Sequence, residues 1–174
     1  MKIAYCMATG PGDTNLLLAG VAARLQAAGL RTCGTVQINT EREECDGPCD
    51  MDVQVLPDGP VIRISQSLGS LSSGCRLNPD ALERAVGEVG VRLDRGADVL
   101  LVNKFGKHEA EGRGFRELIA EALDRDMPVL CGLNTTNAPA FAAFTGGEAT
   151  QLAPDAEVLF GWLLEHAATP ADPA

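Results

Sequence analysis

The 174-residue chain carries a net charge of −10, with 45% hydrophobic residues, 22% charged residues, one Trp and one Tyr. This balance suits one globular domain with a real core and excludes a disordered chain, while its acidity and lack of aromatic platforms argue against nucleic-acid binding. No apolar run reaches the ~20 residues of a membrane span and the opening residues are too short for a signal core, so a cytoplasmic protein without membrane insertion is expected.

Residues 2–7 predict a first strand, and the loop Ala8-Thr9-Gly10-Pro11-Gly12-Asp13-Thr14-Asn15 feeds a helix over residues 16–28 that stops at Gly29. Strand, glycine-rich loop and helix form the setting of a phosphate-binding loop, whose helix-start amides cradle an anion. A full loop of that kind ends in Gly-Lys-Ser/Thr, whereas this chain has Gly12-Asp13-Thr14-Asn15. A plain turn with Asp13 or Thr14 as N-cap is the other reading.

Residues 31–38 predict a second strand. The acidic turn-rich segment 40–50 follows, where Cys45 and Cys49 could hold a soft metal or be incidental. Strands over 52–56 and 60–65, joined by Pro57-Asp58-Gly59, read as a hairpin. Next comes the Ser/Gly-rich run from Gln66 to Leu77. With Gln66 and Arg76 it could hold an oxyanion or act as a linker, and Cys75 beside Arg76 is either a reactive thiol, a third metal ligand or a buried residue. The six cysteines are expected as thiols, because their spacing makes no disulfide framework.

Asn78-Pro79 opens a helix reaching about residue 95, with Leu82, Val86, Val89 and Leu93 on one side. Residues 99–102 are continuously apolar, as in a fully buried central strand. Polar chemistry begins where that run ends, at Asn103-Lys104-Phe105-Gly106-Lys107-His108-Glu109. In open parallel sheets ligands sit beyond the carboxyl ends of strands, which is where these residues would lie. The chain has only three lysines, Lys2, Lys104 and Lys107, against eleven arginines. A lysine pair flanking Gly106 suits an anion approached closely by backbone, and Arg113 and Arg116 extend the basic cluster; a solvated charged loop is the alternative. A helix over 112–126, a strand over 128–132, a polar loop from Asn134 to Asn137, and helices over 141–144 and 155–165 complete the chain, with Trp162 as packing.

Three segments then carry a resemblance: Cys49-Asp50-Met51; the run from Ile64 to Gly69 ending in Gly74-Cys75-Arg76-Leu77; and Val102-Asn103-Lys104-Phe105-Gly106-Lys107-x-Glu109-Ala110-x-Gly112-x-Gly114. Together they resemble an uncharacterised bacterial family of predicted nucleotide-binding proteins, over nearly the whole chain. Members of that family are often found near molybdate-uptake genes and carry names such as molybdenum transporter ATP-binding protein, although this chain has neither a Walker A lysine nor a transporter signature. It is also distantly similar to small P-loop nucleoside-triphosphatases and dethiobiotin synthetase-like folds. In the former, the strand ends in Asp-Glu-Ile-Gly-Lys-Met-Glu, where the Asp holds magnesium through water and the Glu positions the attacking water. The resemblance sets Asn103 and Lys104 at those two positions, turning a pair worth −2 into one worth +1. The electrostatic machinery for phosphoryl transfer is then largely gone.

The expectation is a three-layer α/β fold with a mainly parallel sheet of P-loop type, a β-hairpin excursion and a degenerate P-loop. It forms a single domain over residues 1–166 with a frayed tail over 167–174. Function is expected as non-hydrolysing binding of a nucleotide or an oxyanion such as molybdate, with magnesium not required. Gly12, Asp13, Thr14, Asn15, Gln66, Arg76, Asn103, Lys104, Gly106, Lys107 and Arg113 would contact the ligand, and a homodimer is among the expected assemblies. Two alternatives remain open: a divergent magnesium-dependent nucleoside-triphosphatase or kinase with Glu109 as base, and a metal or redox protein using Cys45, Cys49 and Cys75.

Overall fold

The computed structural model describes residues 1–10, 12–40, 50–66 and 76–167. Cys45, Cys49 and Cys75, most of the Ser/Gly-rich run, and the tail from residue 168 onward lie outside the described residues. In chain order the elements are β1 (Ile3–Cys6), α1 (Asp13–Ala27), β2 (Thr32–Thr40), β3 (Asp50–Val55), β4 (Val61–Arg63), α2 (Pro79–Asp94), β5 (Val99–Val102), α3 (Lys107–Ala110), α4 (Arg116–Asp124), β6 (Val129–Gly132), α5 (Ala138–Phe144), β7 (Thr150–Leu152) and α6 (Ala156–His166).

The strands form one sheet in the order β4-β3-β2-β5-β6-β1-β7. Pairing is parallel from β2 through β7, and the β3–β4 hairpin adds two antiparallel strands at one side. The four central strand segments bury both faces, which is why β5 and β6 read as unbroken apolar runs. Alternate residues of each strand supply separate cores. Ala4, Cys6, Leu101 and Leu130 pack with Leu18, Val21 and Leu25 of α1 and Leu159 and Leu163 of α6. Ile3, Leu100, Val102 and Val129 pack with Leu82, Val89 and Leu93 of α2, Ile119 of α4 and Phe141 of α5. The result is three layers, helix–sheet–helix.

Gly34 makes the approach of β2 to β5 possible: its φ is +112°, and a Cβ there would lie 1.8 Å from the Leu101 carbonyl oxygen. Helix α2 starts as its residues dictate, with Asn78 accepting from the Ala81 N–H and Pro79 at the first turn. Three expectations need correction. Helix α1 begins at Asp13 and is capped by Gly12 at φ +83°, so neither Asp13 nor Thr14 is its N-cap. Residues 107–110 form a helical turn instead of loop, because the Glu109 carboxylate turns back to accept from the Gly106 N–H. Strand β7, which pairs with β1 through Ala4, Tyr5 and Cys6, has no counterpart in the expected elements.

Candidate functional site

The chain reverses its direction of winding beside β1. After β1 it crosses to β2 by way of α1 on one face, and after β6 it passes by way of α5, on the other face, to β7 on the far side of β1. A crevice at the carboxyl ends of β1, β5 and β6 follows from that reversal. Gly132 at the end of β6 shows how closely the walls meet. A Cβ on it would lie 2.1 Å from the Asn103 carbonyl oxygen and 2.9 Å from Thr14 Cγ2, so the β5 end, the β6 end and the start of α1 touch at this residue.

Asn103, the first residue beyond β5, is 4% exposed. Its Oδ1 accepts from the Gln37 backbone N–H at 2.9 Å, and its Nδ2 donates to Asn15 Oδ1 at 2.9 Å. One side chain thus ties β2, β5 and the first turn of α1 together. Two other side chains of that turn fold back onto the preceding loop. Thr14 Oγ1 accepts from the Ala8 N–H at 3.2 Å, and Asp13 Oδ2 accepts from the Gly10 N–H at 3.1 Å. Asp13 therefore places a carboxylate on an amide that would otherwise be open to an incoming anion. Beside it, Ala8, Thr9, Asp13, Leu16, Leu17 and Pro154 line an open depression of about 400 Å³, in which Leu16 is 77% exposed.

The basic residues divide sharply. Lys104 is exposed and makes no hydrogen bond or ion pair among the described residues. Lys107, with its side chain 83% exposed, lies 3.6 Å from Glu111, and Arg113 pairs with the same carboxylate at 2.6 Å. Two cations hold the Glu111 carboxyl below its usual range, the hydrogen bond from Arg113 being the largest cause. Arg116 stacks its guanidinium 4.3 Å from the Phe144 ring centroid and donates to the Glu109 carbonyl. Of the four cations in the expected cluster, Lys104 alone is uncommitted among the described residues.

Glu109 is buried, and its carboxylate accepts from the Gly106 N–H at 2.8 Å and the Phe115 N–H at 3.2 Å. Gly106 has φ −110°, a conformation open to any residue, and its N–H is spent on Glu109. Gln66 and Arg76 contact residues around the start of β3. Gln66 Nε2 donates to the Leu77 carbonyl at 3.0 Å, and Arg76 lies 3.8 Å from Asp50, whose carboxylate also meets Arg63 at 2.8 Å and Ser65 Oγ at 3.2 Å. The sequence reading missed Gly132 and the Gln37 N–H as site builders. A glycine closing an apolar strand was the available signal for the first; no signal pointed to the second, because the contact depends on strand register.

The described cysteines do not form a reactive or metal-binding group. Cys6, Cys33 and Cys131 are buried free thiols, and burial pushes Cys6 and Cys33 up to about 11 and Cys131 higher still. No group of three His, Cys, Asp or Glu among the described residues could hold a metal. The described residues do not fit the magnesium of a nucleoside-triphosphatase: the one at the end of β5 is a neutral amide already bonded at both ends, where hard carboxylate oxygen would be needed.

Residues 3–162 match a family described as "Protein of unknown function (DUF2478)". The chain belongs to the DUF2478 family. A curated relative, "Molybdenum import ATP-binding protein ModC 2" of Bradyrhizobium diazoefficiens, is 34% identical over 164 residues, 92% of this chain. The chain spans 18% of that relative's length. Among solved structures, "Solution Structure of a Human Cancer-Related Nucleoside Triphosphatase" superposes with a TM-score of 0.55 at 16% identity, covering 87% of each chain. That likeness shows that the DUF2478 chain shares the α/β fold of this structure, in agreement with its seven-stranded, mostly parallel sheet. No helix among the described residues is long and apolar enough to cross a membrane.

Proposed function

We propose that this protein binds a small anion, a nucleotide phosphate or a tetrahedral oxyanion, at the carboxyl edge of the sheet without hydrolysing it, and serves molybdenum handling as an accessory. The observation that carries this reading is Lys104. It is an exposed cation with no partner among the described residues, and it directly follows an Asn103 side chain locked to the first turn of α1. A compact ammonium suits an anion, and the depression beside Asp13 leaves room for a nucleoside. The fold and the curated relative's name support a nucleotide as one ligand class, and the same name supports the link to molybdenum.

Hydrolysis is disfavoured by the position of Glu109. Both its oxygens accept buried backbone N–H groups, and activating a water would require breaking those bonds. The test is a thermal-shift screen of wild type and Lys104→Ala with ATP, ADP, molybdate, sulfate and phosphate. A ligand that binds the native state raises the midpoint by mass action. A shift in wild type that is lost in Lys104→Ala is the expected result. A shift of equal size in both proteins would remove Lys104 from the site, and ligand turnover abolished by Glu109→Gln would replace the binding reading with an enzymatic one.

A further inference from the structure

The fold implies a site for a magnesium-chelated phosphate, yet the residues present do not supply one. We infer that Asn103, with Asn15, is the specificity determinant that makes this a site for a bare anion, closed to the divalent cation; this rests on the reading that the ligand binds at the carboxyl edge.

The orientation of the Asn103 amide is fixed by its neighbours. The Gln37 backbone N–H can only donate, so the atom facing it must be Oδ1. Nδ2 must then face α1, and the Asn15 atom opposite it must be an acceptor, Oδ1. An N–H therefore points from β5 toward the helix, where a carboxylate of the same length would present an oxygen. Other candidate oxygens among the described residues are also engaged. Thr14 Oγ1 takes the Ala8 N–H, Asp13 takes the Gly10 N–H, and Glu109 takes two backbone N–H groups.

Magnesium demands near-octahedral hard oxygen and is usually held by one or two carboxylates together with substrate phosphates. Here the Asn103 amide is spent on Gln37 and Asn15, and an exposed lysine with no partner among the described residues follows it in sequence. The first leaves no oxygen for a cation, and the second favours an unchelated anion. The Asn15–Asn103 bond also does structurally what a bridging metal would do, joining the end of β5 to the start of α1, and it does so in the absence of ligand.

The test needs no anion, so it can fail independently of the proposed function. Nitrogen-15-labelled protein is titrated with manganese, and broadening is followed at the backbone amides of Thr14, Asn15 and Lys104 and at the Asn103 side-chain amide. In wild type these signals broaden no earlier than signals beside other exposed carboxylates, Asp13 being one of them. In Asn103→Asp the Thr14 and Asn15 amides become the first to broaden, at manganese concentrations at least tenfold lower than in wild type. Selective early broadening of these signals in wild type overturns the inference, whatever the anion screen shows. An Asn103→Asp profile identical to wild type removes Asn103 as the determinant.

Discussion

At the amino edge of the sheet charges are paired: Lys2 meets Asp126 at 2.6 Å, and Arg31 grips Asp98 through its guanidinium at 2.6 and 3.2 Å and through its own backbone N–H at 2.7 Å. At the carboxyl edge, Lys104 has no partner among the described residues, Asn103 is bonded to Gln37 and Asn15, and Asp13 is turned onto its own loop. The first edge fastens strand starts together through these pairs, with exposed Arg95 beside it left without a partner among the described residues. The second keeps one cation uncommitted on a rigid base, as a binding site requires and a purely structural edge does not.

The sharpest way to break the contrast is to break the base. Gly132→Ala would drive a Cβ into the Asn103 carbonyl and Thr14, and should cost about 3 kcal/mol in urea unfolding, as overpacking of tightly packed backbone does. A loss under about 0.5 kcal/mol, the range of ordinary surface substitutions, would mean that the three elements can part without strain.

Next in size is Lys104→Ala, expected to weaken anion binding by about 1.5 to 3 kcal/mol, the worth of a charge-assisted hydrogen bond. Lys107→Ala should lose less than about 0.5 kcal/mol, because that lysine is solvated and already paired with Glu111. Calorimetric titration of the two variants side by side separates them, and equal losses would contradict the division drawn between the two lysines.

Asp13→Asn should act in the opposite direction. It keeps a hydrogen bond to the Gly10 amide available but removes a negative charge from the loop, and should tighten anion binding by about 1 kcal/mol. Weaker binding in that variant would show that the carboxylate helps to build the site.

The smallest effect belongs to the amino edge. Burial raises the Asp98 carboxyl, but hydrogen bonds and charge from Arg31 outweigh it and leave the group below its usual range. With the folded value depressed, the stabilisation is present above the ordinary aspartate value of about 3.9 and is lost as pH falls through the lower folded value. Because Arg31 is largely exposed, the contribution is about 1 kcal/mol at most. Asp98→Asn should therefore be less stable than wild type at neutral pH, and chemical denaturation should show the gap closing in acid. A gap independent of pH would mean that the pair contributes by packing alone.

Much of the fold was legible because its central elements carry local signals. The apolar run 99–102 and the Asn78-Pro79 opening correspond to β5 and α2, since burial on both faces and N-terminal capping leave direct marks in sequence. Strand β7 left no such mark: its residues Thr150, Gln151 and Leu152 are exposed, exposed and half-buried, and only pairing with β1 makes them a strand. Helix α3 was hidden for another reason, because it depends on one glutamate turning back to a glycine amide. At the site, the residue types at 103, 104 and 107 pointed to anion chemistry. What distinguishes Lys104 from Lys107 is a local pairing with Glu111 that the unexpected helix α3 creates, whereas what joins Asn103 to Asn15 across 88 residues is set by topology and could not be read from either segment alone.

The most direct test of the account is calorimetric titration of the wild-type protein with ATP and with molybdate, first in EDTA and then in magnesium. The account predicts that at least one of the two binds in EDTA and that magnesium does not strengthen it; for ATP, magnesium should weaken apparent binding by withdrawing the bare nucleotide into its chelate. Binding of neither ligand in EDTA, or binding that appears only with magnesium, would contradict a carboxyl edge built to hold an anion without a metal.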